Sequence, residues 1–104
     1  MAFTEFSHDF GAVTGGVSSA FSIESTLRGN GNVPFKAMVL YAVVRNQSGG
    51  VVNVFGGLGS STVAIGERKR VEFPYNTRFF RVVPAVTTVA GELTADVGVD
   101  GVVL

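Results

Sequence analysis

Glycine, proline and asparagine cut this chain into short runs, and inside those runs apolar residues recur at every second position rather than on a helical stripe. The alternation is clearest from Glu92 to Val99, where Leu93, Ala95, Val97 and Val99 read as inward and Glu92, Thr94, Asp96 and Gly98 as outward. A chain patterned in this way has little choice but to build sheets. From Ala37 to Val44 both parities are apolar, which predicts a central strand covered on both sides, with Val39, Tyr41 and Val43 in the core beside Val82 and Leu93.

Further strands are expected at Val51–Phe55, Thr62–Ile65, Arg68–Phe73 and Arg78–Val83, the last closed by Pro84. The connection Asn46-Gln47-Ser48-Gly49-Gly50 reads as a hairpin that would pair the strands on either side of it. Val17–Ile23 alternates with Ser19, Phe21 and Ile23 on one face, and residues 28–34 concentrate turn formers. The fold class that follows is all-β: a small antiparallel β-sandwich or barrel, jelly-roll-like, with about seven or eight short strands. Residues 1–34 are expected to form an amino-terminal arm and first strands with Gly-rich loops, and residues 35–104 the sandwich core of what is a single domain.

Composition narrows the function classes. The 104 residues hold no cysteine, so neither disulfides nor thiolate metal sites exist, and the eight basic and eight acidic residues cancel. Zero net charge argues against a nucleic-acid partner bound through a uniformly basic surface. Charged residues make up only 15% of the chain, below the roughly 25% usual in soluble domains, so apolar surface must be covered by tight strand packing or by neighbouring chains. No apolar run is long enough for a membrane-spanning helix, and MAFTEFSHDF has no basic region ahead of an apolar one, so synthesis in the cytoplasm without a signal peptide is expected.

Candidate chemistry is sparse. Gly57-Leu58-Gly59 follows a strand but lacks the helix and lysine of a phosphate-binding loop. Gly16-Val17-Ser18-Ser19-Ala20 has a weak likeness to a nucleophile elbow, yet His8 precedes Ser18 and no base is in place. Glu92, Asp96 and Asp100 lie on one face of a strand without a loop to gather them around calcium. The expectation is a protein that is not an enzyme and has no catalytic residue, cofactor or metal site.

Two features point instead to protein contacts. Phe3, Phe6 and Phe10, ahead of glycines at 11, 15 and 16, suit an arm that anchors on another chain. Arg68, Arg70, Arg78 and Arg81 fall between Gly66 and Pro84, where they would pair with Glu72, Glu92 or Asp96 or meet acidic patches on neighbours. Those seven residues are the candidate protein interface.

The progression VVRNQSGGVVNVFGG, STVAIGERKRVEF, TRFFRVVPA and GELTADVGV, from about Ala37 to Val99, resembles small β-sandwich structural proteins of bacteriophage particles, although Glu67 and Arg68 stand where a Pro-Gly turn is more usual. The resemblance implies a virion component such as a capsid cement or decoration protein or a minor capsid protein. It would assemble in many copies on other virion proteins, the major capsid protein first among them, and on copies of itself as a homo-oligomer. A ligand- or carbohydrate-binding sandwich is the alternative.

Overall fold

The computed structural model describes residues 2–22, 35–56, 59–74 and 77–103, with side chains from Ser7 to Ser22 and from Leu40 to Gly98 within those ranges. It holds eight strands: β1 (Ala2–Asp9), β2 (Ser19–Ser22), β3 (Phe35–Asn46), β4 (Val52–Gly56), β5 (Gly59–Val63), β6 (Arg68–Phe73), β7 (Phe79–Pro84) and β8 (Leu93–Val103). One sheet has the order β1-β8-β3-β6 and the other β2-β7-β4-β5, every pair antiparallel.

The topology is that of a long hairpin rolled up on itself. Pairing β4 with β5, β3 with β6, β2 with β7 and β1 with β8 folds the chain about its middle. Rolling then adds β3 against β8 and β4 against β7, which closes each sheet at four strands. Eight strands connected in this way form a double Greek-key jelly roll. Four loops, residues 10–18, 47–51, 64–67 and 85–92, consequently gather at one end of the sandwich, here the loop end.

Period-two patterning decides which side chains face between the sheets. Leu40, Ala42 and Val44 of β3, Val71 and Phe73 of β6, and Leu93, Ala95 and Val97 of β8 meet Phe21, Val52, Val54, Val63, Phe80 and Val82 from the other sheet. Phe80 sits at the centre, stacked on Phe73 at 5.3 Å and on Phe21 at 5.4 Å, with Phe10 edge-on at 6.2 Å. Burying such a ring is worth roughly 1.5–3 kcal/mol, and each ring pair adds about 0.5–1.5 kcal/mol. Gly56 is what admits the stack, because a Cβ there would lie 2.4 Å from the Phe73 ring.

Several expectations are corrected. β3 and β4 do not pair: residues 47–51 carry the chain from one sheet to the other. The cause is Asn46, which is fully buried and spans the gap, donating to the carbonyls of Gly50 (2.9 Å), Val63 (3.1 Å) and Ala64 (3.3 Å). Its Oδ1 accepts from the Ser48 amide (3.0 Å) and hydroxyl (2.6 Å), so the turn formers build an arch, not a hairpin. β3 is also covered unequally. Its even positions face the core, whereas Tyr41, Val43 and Arg45 lie on the outer face, where Tyr41 is buried beneath the Arg70 guanidinium at 4.2 Å and Val43 is only half-buried. Val82 and Leu93 are core residues as expected, and Val39 lies outside the described side chains.

The amino-terminal residues make β1, an edge strand in register with β8 from Ala2 opposite Asp100 to Asp9 opposite Thr94. The other sheet's β5 edge is tied to β6 by Lys69, whose ammonium donates to the Thr62 carbonyl at 3.2 Å, a charge placed where another strand would otherwise add.

Candidate functional site

The loop end is built from polar side chains that satisfy backbone groups and leave aliphatic ones outside. The buried Thr88 hydroxyl accepts from the Val13 amide (3.1 Å) and donates to the Gly11 carbonyl (2.7 Å), while its own amide bonds the Val13 carbonyl (2.9 Å). Thr87 accepts from the Gly15 amide at 3.1 Å. The two loops approach so closely that a Cβ on Gly15 would lie 3.0 Å from Ala85 and Thr87 backbone atoms, so any larger residue would press the loops apart. Asp9 accepts from the amides of Gly11 and Gly91, both at 2.9 Å. Those two backbone hydrogen bonds hold its carboxyl below the ordinary carboxylate value, against a smaller opposing effect of desolvation and with slight help from His8.

Glu67 and Glu92 act the same way on shorter turns, accepting from the amides of Ala64 and Val89 at 2.9 Å. Gly66 and Gly91 adopt positive φ within these turns. With the carboxylates turned onto the backbone, what the loops present is Val17, Val51, Ile65, Val86 and Val89, from 41 to 60% exposed. Among the described residues the one other large hydrophobic side chain this exposed is Phe79, toward the opposite end of β7. The sequence reading missed these aliphatics. The alternation extends the strands to Ile65 and Val51, whereas they stop at Val63 and start at Val52, and the signal for these aliphatics is a Val or Ile directly beside turn formers.

The seven residues expected at the interface are dispersed. Phe3 and Phe6 belong to β1, in a segment paired with Asp100, Val99 and Val97, and their side chains lie outside the described set. Phe10 is 9% exposed and packs within its own chain against His8 and Phe80. Arg68 and Arg70 are on the outer face of the β3 sheet, paired with Asp96 (3.8 Å) and Glu72 (3.2 Å). Arg78 and Arg81 flank Phe79 on the other sheet, where the Arg81 guanidinium lies 5.5 Å from the Phe55 ring. β6 and β7 belong to opposite sheets, so the arginine cluster in sequence divides between two faces in space.

Arg78, Arg81, Phe55 and Phe79 line an open groove of about 900 Å³ together with Ser60 and Thr77. Thr77 is buried, and among the described residues its hydroxyl has no hydrogen-bond partner. A second polar hollow, of about 400 Å³, lies on the outer face of the β3 sheet, where Ser7 donates to Asp96 at 2.8 Å and Arg68 lies 3.8 Å from the same carboxylate.

Among the described residues, the side chains singled out for chemistry in the sequence lie apart from one another. His8 lies edge-on to Phe10 (4.6 Å) and Phe21 (5.0 Å). Gly59 opens a strand, and Gly57 and Leu58 are outside the described residues. Among the described residues no three His, Asp or Glu side chains gather as a metal site, and no helix is long and apolar enough to cross a membrane. Comparison with protein families, with characterised proteins and with solved structures yields no match to this chain.

Proposed function

We propose that this protein is a structural component of a phage or virus particle, a cement, decoration or minor capsid protein that assembles in many copies through protein contacts. The observation that carries the reading is the loop end: five aliphatic side chains exposed on loops that are fixed in place by Asn46, Thr88 and Asp9. Apolar surface concentrated on one end of a domain is a mark of association, and rigid loops lose little entropy on docking. The jelly roll is a fold that viral capsid proteins use, and it is equally that of lectins, so the fold adds an analogy and the surface adds the argument.

In this reading the loops form the docking surface, since Phe10 packs in the core of its own chain. Removing residues 1–12 would take away a sheet strand and a core ring, and so would not sever a contact cleanly. Immunoelectron microscopy is the direct test, using antibody against this chain on particles pelleted from the cells that make it. Regular labelling of particles is the expected result; protein recovered only as a free monomer, with unlabelled particles, overturns the proposal. Ile65→Asp with Val89→Asp should leave the fold intact and remove the protein from particles.

A further inference from the structure

We infer that the groove between Phe55 and Phe79 is a docking site for an acidic segment of another protein chain, one that sets an apolar side chain between carboxylates. It lies at the other end of β7 from the loops and stands independently of the virion reading. Charge is the first argument. Arg68 and Arg70 have carboxylate partners in their own chain, but among the described residues Arg78 and Arg81 have none within ion-pairing distance, and no acidic residue lines the groove. In a chain whose charges cancel overall, this leaves a local excess of two guanidiniums.

Shape is the second. Phe55 and Arg81 are opposite each other on neighbouring strands, and Phe79 is 53% exposed on the same outer face, so two rings and two cations frame one depression. Guanidinium forks match carboxylates in a bidentate fashion, and a ring beside them receives the apolar part of the same segment. A nucleic acid fits less well, since tracking a phosphate backbone needs a longer run of cations than two arginines provide.

The test uses the whole chain and a fluorescein-labelled peptide of sequence Glu-Asp-Phe-Asp-Glu, read by fluorescence anisotropy. Saturable binding is expected, weakened about tenfold or more by Arg78→Ala, Arg81→Ala or Phe79→Ala, as for anchor residues of an interface. Ser60→Glu, an exposed change on the strand beside Phe55, should weaken binding equally by bringing a carboxylate to the arginines, with unchanged circular dichroism and melting temperature. A peptide with lysine in place of its acids should not bind. The inference is overturned by an absence of saturable binding up to about 1 mM peptide, the weak end of specific recognition. Binding that ignores all four substitutions also overturns it, as does an oligothymidylate that binds where the peptide does not.

Discussion

At the loop end, buried polar side chains are matched to backbone groups one by one: Asn46 alone serves three carbonyls and accepts from Ser48 twice. Near the groove at the other end, the Thr77 hydroxyl is buried and unmatched, and among the described residues Arg78 and Arg81 have no carboxylate in ion-pairing distance. The first end is complete in its hydrogen bonding and incomplete only in its apolar exposure. The second is incomplete in hydrogen bonding and charge. The contrast teaches that a sandwich can expose two different kinds of unsatisfied surface on one small core, each suited to a different kind of contact.

The heaviest blow to this contrast is Asn46→Ala. It strands buried carbonyls and the Ser48 amide at once, and a loss of about 3–5 kcal/mol is expected from several unsatisfied groups together. Chemical denaturation measures it, and a loss under about 1 kcal/mol would mean that water replaces the side chain and the arch does not depend on it. Leu93→Ala, in the core that both ends share, should cost about 2–5 kcal/mol, with a value near zero placing the inward face of β8 wrongly.

Acid distinguishes the ends next. The Asp9 carboxyl titrates below its unfolded value because it accepts two amides when folded, so its contribution is present above the ordinary carboxylate range and is lost as pH falls through the lower folded value. The amide resonances of Gly11 and Gly91 should shift in that acidic window while those around Arg78 and Arg81 stay put. Asp9→Asn should flatten the acid limb of the denaturation midpoint; an unchanged limb would remove Asp9 from the account. The smallest effect belongs to the groove. Thr77→Val keeps the shape and removes the unmatched hydroxyl, so stability should be unchanged or raised by up to about 1 kcal/mol, whereas a clear loss would reveal a hydrogen bond.

Much of the fold is legible in the residues because burial on one face enforces period two. The β8 alternation from Leu93 to Val97 places each residue correctly, and β6 spans Arg68–Phe73 as expected. Sheet membership is not legible, because Asn46-Gln47-Ser48-Gly49-Gly50 would serve a hairpin or an arch equally well. The choice is made by where the Asn46 amide finds its carbonyls, on β5 and the turn after it, far along the chain. The site is less legible for the same reason. Arg70 and Arg78 are near in sequence, yet the crossing between sheets sends them to opposite faces, and Ile65 leaves the core by lying two residues past the end of β5.

The rolled hairpin has a consequence for how the protein comes into being. Its β4–β5 pairing is local, but the partner of β1 is β8, so β1 leaves the ribosome long before the strand it pairs with. Until β8 emerges, Phe10 and Val13 have no finished core to enter, and one edge of the nascent sheet has nothing to pair with. Where many copies are translated side by side, the strand left waiting on one chain is chemically identical to the strand left waiting on the next. Speed of synthesis, and not stability alone, then governs how much of the protein closes on itself before it meets a neighbour.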